Sequence, residues 1–483
     1  MYFCLETKLQ FMKKFIKYFL LFFLLGVSYI IYTNYPKFVL ISGFSAKSTA
    51  SGMFVADRTQ GSIEGKDNNF SPINLASNEV NIDEKSVVSK VFGLKTRKAI
   101  YREGLGAVVI NDDYDPEAPY LVPNRNKTPK KLPFPYGNLP QKDTVFSSVD
   151  YHKLENIVDT YFKQNTAGNI THSLLIVYKN QIITEKYADE FDKNTKVLGW
   201  SMGKSIVSTV IGVLDQQGEI DIHNPAPIDE WKHDERSEIT IHNLLQMNSG
   251  LEWEEDYTKI SDVTKMLYLE SDMTKPQANK PLVGKPNESW NYSSGTSNLL
   301  SGIVRDKFKT HQEYLDFWYS DLIDKIGMHS MILEADLAGN YIASSYPWAT
   351  TRDWAKYGLL YLNNGNWNGE QIISEDWVKY TSTPTNTSEG IYGAQFWLNA
   401  QGHLPDVPKD MYMADGYQGQ RVMIIPSKDL VVVRTGITYS KTKDKLAERG
   451  LKEGENKFVV EYELGNQPFN DLLKNILSTI DVK

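Results

Sequence analysis

The sequence predicts an α/β (α+β) fold in which both ends of the chain form one antiparallel sheet flanked by helices, with a mostly helical part between them. A strand–turn–strand pattern at 173–188 and a second one at 421–436 predict the sheet. The segments between these patterns place apolar residues at helical spacing, as in 206–214, and predict the helices.

The chain begins with a positive flank and an apolar run. Lys8, Lys13, Lys14 and Lys17 precede YFLLFFLLGVSYIIY at 18–32. With its apolar neighbours this run is long enough to cross a bilayer, and the lysines before it predict a cytoplasmic N-terminus. No convincing A-x-A pattern follows the run, which favours an uncleaved anchor over a removed signal peptide. We expect residues 1–40 to be a membrane anchor or signal segment.

The next two segments differ in composition. Residues 41–111 form an N-terminal extension, whose Ser-, Asn- and Gly-rich stretch at 41–80 we expect to be loop-like. Seven of the 20 prolines lie between 116 and 140, and this predicts an extended linker or surface wrap at 112–145. A domain at 146–483 follows, with a helical subdomain at roughly 220–345.

Charge and composition exclude several functions. The net charge is -8, and we find no basic patch that would favour nucleic acid as a partner. Cys4, the single cysteine, lies before the predicted globular part, so that part has neither disulfides nor a thiol nucleophile. The histidines lack metal-ligand spacing, and we expect no metal and no organic cofactor.

The stretch GWSMGKS at 199–205 fits three motifs. A phosphate-binding P-loop needs glycine at 198, where the chain has leucine. The G-x-S-x-G nucleophile elbow needs a buried strand leading into the serine, but the approach at 192–196 is polar. Both of these interpretations are therefore disfavoured.

The third interpretation is S-x-x-K, formed by Ser201 and Lys204. At this spacing both side chains leave one face of a helix as neighbours. The helix N-terminus stabilises negative charge at the serine, and a buried lysine can lose its proton and act as a base. The motif alone is weak, since one or two chance matches are expected in a chain this long. Ser440 to Lys443 is one of them.

Five segments supply the context that the motif lacks. They are VLGWSMGKSIVSTVIGVLDQQGEIDI, ITIHNLLQMNSGLEWEEDY, WNYSSGTSNLLSGIV, YPWATTRDWAKYGLLYLNNGNWNGEQII and DGYQGQRVMIIPSKDLVVV. From about 171 to 436 the chain resembles the serine β-lactamase-like superfamily of class C β-lactamases, penicillin-binding carboxypeptidases and family VIII esterases. Within it, the chain most resembles the 6-aminohexanoate-dimer (nylon-oligomer) hydrolase-like branch. The resemblance implies a β-lactamase-like fold.

The resemblance also implies roles for individual residues. Ser201 matches the nucleophile and Lys204 its activating partner. Tyr292 matches a tyrosine that takes the serine proton and later protonates the leaving group. Ser294 stands where the superfamily has asparagine. Its shorter reach leaves open whether it holds Lys204 or the substrate.

The superfamily's Lys-[Ser/Thr]-Gly strand element matches Tyr417-Gln418-Gly419-Gln420. The resemblance implies that Gly419 or Gln420 donates one oxyanion N–H and Ser201 the other. Arg434-Thr435-Gly436 fits the element loosely but one strand too late, and we interpret Arg434 as an edge-strand arginine. Tyr417 supplies no cation for a substrate carboxylate, which favours esters or amides of less acidic acyl groups. Trp200, Trp253, Tyr257 and Trp348 are candidates for the pocket lining.

These residues predict a serine hydrolase that cleaves amide or ester bonds of a small substrate through an acyl-enzyme on Ser201. The alternative is a penicillin-binding or D-alanyl-peptide-acting cell-wall protein, or a β-lactamase, with low turnover. Together with the N-terminal segment, the sequence predicts a bacterial cell-envelope protein whose catalytic domain is periplasmic or extracellular.

Overall fold

A computed structural model describes residues 2–112, 114–142, 144–166, 169–438, 442–452 and 455–481. Within these ranges the strands are β1 (Ala76–Asn81), β2 (Ser86–Val91), β3 (Leu94–Arg102), β4 (Gly106–Val109), β5 (Asn169–Tyr178), β6 (Gln181–Tyr187), β7 (Lys196–Leu198), β8 (Ile332–Leu333), β9 (Pro347–Thr350), β10 (Asn366–Trp367), β11 (Glu370–Gln371), β12 (Trp397–Leu398), β13 (Tyr412–Gly416), β14 (Gln420–Ile425) and β15 (Leu430–Thr438). The helices are α1 (Tyr2–Phe54), α2 (Gln60–Gly65), α3 (Tyr151–Lys163), α4 (Met202–Gln216), α5 (Ile241–Leu245), α6 (Asp262–Leu269), α7 (Lys275–Ala278), α8 (Ser294–Asp306), α9 (His311–Phe317), α10 (Thr351–Leu362), α11 (Glu375–Thr381), α12 (Thr442–Arg449) and α13 (Lys457–Leu477).

The main sheet has six antiparallel strands in the order β12-β13-β14-β15-β5-β6. Strands from both parts of the chain meet where β15 pairs with β5, with Val432 opposite Ile176. The predicted α/β fold, with an antiparallel sheet formed by both chain ends, is therefore confirmed.

Alternating residues of the sheet pack into two different cores, as the period of two in a strand requires. Leu175 and Val433 face a core shared with α4 and α10. Ile176 and Val432 face a second core shared with α3 and α13. The sheet is thus covered by helices on both faces, and α4 lies on the face that carries the candidate site.

A small antiparallel sheet in the order β7-β9-β8 lies beside the main one. The strand that leads toward Ser201 is β7, which has only three residues and pairs with β9. It is not a buried strand of a parallel βα unit, so the local geometry is not that of a nucleophile elbow. Helices α5 to α9 lie within 220–345, the range predicted to be helical.

The expectation of a loop at 41–80 is wrong. Helix α1 continues through Phe54, and α2 and β1 follow. The Ser-, Ala- and Gly-rich composition has a packing cause: Ser45, Ala46 and Ala50 are almost fully buried where α1 meets the four-stranded sheet β1-β2-β3-β4. A Cβ at Gly52 would lie 2.6 Å from the side chain of Ile63. Small residues here let the helix approach its neighbours closely.

The described residues of 112–145 contain neither a helix nor a strand. This segment runs along the helical side of the molecule, where Arg125 donates to Asp324 at 2.5 Å and the Asn124 backbone donates to Asp316 at 2.7 Å. Farther on, the ring of Tyr136 packs against Trp367 with centroids 5.1 Å apart. These contacts fasten the proline-rich segment to the surface.

Candidate active site

Ser201 lies at the N-terminus of α4, with the backbone already in the right-handed helical region. Its side chain makes no capping hydrogen bond, so the hydroxyl is available to other partners. Trp200 directly before it has φ of +48°, which turns the chain sharply into the helix. A Cβ at Gly203 would lie 2.6 Å from the carbonyl oxygen of Ala343, so this glycine lets the 343–344 backbone approach α4.

Lys204 is 2 % exposed and lies one turn along α4. Its ammonium nitrogen Nζ is 3.1 Å from Ser201 Oγ, 3.0 Å from Ser294 Oγ and 3.0 Å from the carbonyl oxygen of Ser344. Burial lowers the pKa of Lys204 to about 8, and the nearby Glu255 carboxylate opposes this shift. Part of the Lys204 population therefore carries the neutral amine close to neutral pH.

Tyr292 completes the group around the serine. Its ring lies 4.8 Å from Lys204 Nζ, and its phenol is close enough to Ser201 for the two side chains to interact. Burial raises the pKa of Tyr292 well above its usual range, the charge of Glu255 raises it further, and the interaction with Ser201 opposes the rise. The structure thus brings Ser201, Lys204, Tyr292 and Ser294 together, and Tyr292 keeps its proton at neutral pH.

Glu255 is the site residue that the sequence analysis missed. Its carboxylate accepts hydrogen bonds from the Ser294 backbone N–H at 2.9 Å and the Ser294 hydroxyl at 2.5 Å. The indole N–H of Trp253 donates at 2.6 Å, and the hydroxyl of Tyr257 donates at 2.7 Å. One carboxylate therefore orders Ser294 and two of the predicted aromatic residues.

Strand β13 ends beside the serine at Gly416, and Tyr417 is the first residue of the turn that follows. Gly416 packs so closely on the carbonyl of Gly199 that no Cβ would fit, and the Tyr417 ring lies 5.6 Å from the ring of Trp200. Of the two predicted oxyanion donors, Gln420 lies opposite Gly416 in the β13–β14 pair, and the role of its N–H or of the Gly419 N–H stays a prediction. A Cβ at Gly419 would contact Arg434 and Phe469, and the Gln420 side chain bonds to the backbone of Gly436.

The interpretation of Arg434 as an edge-strand residue is wrong. Its strand β15 lies between β14 and β5, and the side chain is fully buried. The guanidinium donates to the carbonyl oxygens of Gln418 at 3.1 Å and Gly419 at 3.0 Å. Arg434 therefore holds the turn that follows Tyr417 and does not face the serine.

Three of the four aromatic candidates lie at the site. Trp200 packs between Tyr417 and Tyr346, Trp253 binds Glu255, and the ring of Tyr257 stacks on Tyr417 with centroids 6.1 Å apart. Trp348 instead donates its indole N–H to Glu334, in the contact with α1. The prediction for Trp348 is therefore wrong.

The fold and the Ser-Lys-Tyr group define a protein of the serine β-lactamase-like superfamily. The family model described as Beta-lactamase matches residues 158–450, more than half of the chain, and the chain belongs to this family.

One curated relative is the 6-aminohexanoate-dimer hydrolase of Paenarthrobacter ureafaciens. It is 22% identical over 302 residues, which cover 56% of this chain and 74% of that protein. Among solved structures, an inferred 6-aminohexanoate-dimer hydrolase from Bacillus anthracis aligns with a TM-score of 0.50 at 19% identity, covering 67% of this chain and 85% of that one. An inferred β-lactamase from Bacteroides dorei DSM 17855 aligns with a TM-score of 0.51 at 14% identity, covering 68% and 99%. The structural likenesses support the shared fold.

Proposed function

We propose that this protein is a serine hydrolase that cleaves an amide or ester bond of a small substrate through an acyl-enzyme on Ser201. The observation that carries this proposal is the contact between Lys204 Nζ and Ser201 Oγ at 3.1 Å, made by a lysine that burial brings to a pKa of about 8. A neutral amine at this distance can accept the serine proton as the oxygen attacks.

The other contacts of Lys204 aim its lone pair at the serine. The Ser344 carbonyl can only accept, so it takes one N–H of the neutral amine. The Ser294 hydroxyl gives its proton to Glu255, so its oxygen accepts a second N–H. The remaining lone pair then faces the Ser201 hydroxyl. Glu255 is in this sense a positioning residue, because it fixes the direction of the Ser294 hydroxyl.

Tyr292 supports the leaving group. Because its pKa is raised, the phenol carries a proton that it can give to the departing nitrogen or oxygen. The proton that Lys204 took from Ser201 then restores the phenol. In the second half-reaction water gives a proton to the same pair, its oxygen attacks the acyl carbonyl, and the serine leaves with a proton.

The negative charge on the attacked carbonyl oxygen needs two N–H donors. Ser201 is the N-cap residue directly before α4, so its backbone N–H is one candidate. The second is the N–H of Tyr417, because Gly416 packs on Gly199 and the Tyr417 ring packs on Trp200, the two residues before the serine. This assignment moves the oxyanion donor from Gly419 or Gln420 to Tyr417.

The walls of the site favour an uncharged acyl group. Tyr257 and Tyr417 form a partly exposed aromatic pair beside the serine, with 47% and 43% of their surfaces exposed. Such a pair offers apolar surface and two hydroxyls but no cation for a carboxylate. The hydrolase of Paenarthrobacter ureafaciens is named for a dimer of 6-aminohexanoate, which supports small amides as one substrate class.

We also propose a role for each segment of the chain. Residues 1–40 anchor the protein in the bacterial cell envelope, and within the described residues α1 is the one helix apolar and long enough to cross a bilayer. The extension at 41–111 supports the hydrolase domain at 146–483, since Phe44 packs on Trp200 and Lys47 pairs with Glu334. The segment at 112–145 connects the two along the surface.

The test is Ser201→Ala in the full chain, assayed with activated esters, short linear amides, D-amino-acid peptides and a chromogenic cephalosporin. We expect loss of turnover and of labelling by a serine-directed fluorophosphonate probe. Ser440→Ala is the matched control, because it removes the serine of the second S-x-x-K; that serine lies outside the described residues. The control should keep both signals.

Two outcomes would contradict this proposal. Labelling that persists in Ser201→Ala would place the nucleophile elsewhere. Covalent capture of a labelled penicillin by the unaltered chain, with no turnover of any ester, amide or peptide, would instead support the penicillin-binding alternative.

A further inference from the structure

We propose that one end of the N-terminal sheet inserts into the interface of the membrane that α1 crosses. This end, called the sheet tip below, consists of Leu75, Phe92, Leu94 and Lys95. The proposed partner is the lipid surface at the outer end of the span. The inference rests on the proposed anchoring by α1 and is independent of the chemistry at Ser201.

The sheet tip is held against α1 just where the exposed apolar stretch of that helix ends. The Phe92 ring meets the edge of Phe38 with centroids 6.0 Å apart, and Lys95 Nζ lies 4.5 Å from the centre of the Tyr35 ring. The Ser42 hydroxyl donates to the carbonyl oxygen of Lys95 at 2.6 Å. These contacts place the sheet tip at the level of 35–42 on the helix.

The same level of α1 has the composition of a membrane interface. Eighteen residues from 18 to 35 rise about 27 Å as a helix, close to the thickness of a bilayer core. Tyr29, Tyr32 and Tyr35 are exposed at the end of this stretch, and Lys37 follows. Tyrosine and lysine are typical of the headgroup region, where the ring is half buried and the charge reaches lipid phosphates.

The sheet tip carries apolar side chains that the described residues leave uncovered. Phe92 is 69% exposed, at the turn between β2 and β3, and Leu75 and Leu94 are more than two-fifths exposed. Lys95 adds a positive charge beside them. Exposed large apolar residues next to a lysine, continuous with an apolar helix, fit insertion among lipid headgroups.

The opposite end of the same sheet provides an internal contrast. Ile82 in the turn between β1 and β2 is 62% exposed, but Asp83 and Glu84 follow it directly. Five residue steps along β2 put this turn about 17 Å farther from the helix span than the sheet tip. The two turns therefore carry similarly exposed apolar residues at different expected depths.

Insertion of the sheet tip would fix the height and tilt of the active site. Nine residues along α1 separate Tyr35 from Phe44, a rise of about 14 Å. Phe44 lies 6.1 Å from the ring of Trp200, the residue before the nucleophile. Held by the helix and by the sheet tip together, Ser201 would act at this height on substrates near the bilayer surface.

The test compares Phe92→Cys with Ile82→Cys, both in a Cys4→Ser chain, since Cys4 is the only cysteine. Each full-length variant is labelled with an environment-sensitive fluorophore and reconstituted into phosphatidylcholine vesicles, with and without phosphatidylglycerol. Lipids bearing a nitroxide quencher report contact with the bilayer. Flotation of the vesicles reports anchoring, and thermal unfolding confirms that both variants fold.

We expect quenching severalfold stronger at position 92 than at position 82, and stronger still with phosphatidylglycerol present. If the chain floats with the vesicles but position 92 stays in water, the inference fails while the anchor stands. Equal quenching at both positions also contradicts it, because the sheet would then lie flat on the bilayer. A chain that does not float overturns both the anchor and the inserted sheet tip, and leaves the hydrolase chemistry untouched.

Discussion

Lys47 on α1 and Lys204 on α4 are buried to the same extent, each 2 % exposed, but they have different partners. Lys47 forms an ion pair with Glu334, whose carboxylate also accepts from the Ser51 hydroxyl and the Ala107 backbone. Lys204 contacts two hydroxyls and one carbonyl, and the carboxylate of Glu255 is linked to it through the Ser294 hydroxyl.

This difference shows that burial alone does not make a lysine a base. Burial lowers the pKa of both lysines, but for Lys47 the charge and the hydrogen bond of Glu334 oppose it. For Lys204 the distant Glu255 opposes it only by its charge, and the pKa falls to about 8. A counter-ion in contact stabilises the ammonium form of a buried lysine by a hydrogen bond as well as by its charge, whereas a counter-ion one hydroxyl away acts by its charge alone.

The largest expected effect comes from removing the lysine that has no ion-pair partner. In Lys204→Met the kcat for an activated ester should fall about 10³-fold or more, because the serine loses its base. The free energy of unfolding should change by no more than about 2 kcal/mol, because methionine fills similar volume and a buried charge disappears. Ester kinetics and denaturant unfolding of the same preparations check both statements. A variant that retains kcat would give the base role to another residue.

Removing Lys47, the lysine in the ion pair, should instead lower stability more than activity. Lys47→Met leaves Glu334 buried without its counter-ion, and we expect a loss of about 3–5 kcal/mol in the free energy of unfolding. Turnover per folded molecule should fall far less than in Lys204→Met. The matched variant is Lys47→Met with Glu334→Gln, which removes both charges and should recover part of the stability. Equal instability of the single and double variants would mean that packing, not the ion pair, joins α1 to the domain.

The local part of this comparison could be predicted from the sequence. Ser201 and Lys204 are one helical turn apart, so their side chains are neighbours on one face of the helix wherever that helix packs. The hairpin pairs of the main sheet are likewise local patterns. Tyr292 lies 91 positions after Ser201, and its role was predicted only from the resemblance to a family.

The other parts of the site and of the fold depend on tertiary contacts, which the sequence does not reveal. Glu255 belongs to the acidic stretch of Glu252, Glu254 and Glu255, and no pattern indicates which carboxylate turns toward Ser294. The proposed oxyanion donor, Tyr417, lies two or three residues before Gly419 and Gln420, and its choice depends on where β13 ends and the turn held by Arg434 begins. The buried part of α1 resembled a loop in composition, since small residues serve both loops and close helix packing.

The smallest and most specific expected effect tests the arrangement in which the Ser294 hydroxyl lies between Lys204 and the carboxylate of Glu255. The rate of acylation should rise with pH through about 8, since below it Lys204 is an ammonium and cannot accept the serine proton. Glu255 raises the pKa of Lys204, so Glu255→Gln should shift the midpoint of this rise to lower pH. The plateau rate should fall about 10- to 100-fold, because Ser294 is then free to turn.

The control for this prediction is Glu254→Gln. The neighbouring carboxylate pairs with the exposed Lys259 and makes no contact with Ser294. Its removal takes away the same charge from the same loop, so the midpoint and the plateau should both stay at the values of the unaltered chain. A fall in the plateau with an unchanged midpoint in Glu255→Gln would show that Glu255 only orders the loop. Equal shifts in both variants would show a general effect of charge, and the contrast between a counter-ion in contact and one held at a distance would lose its support.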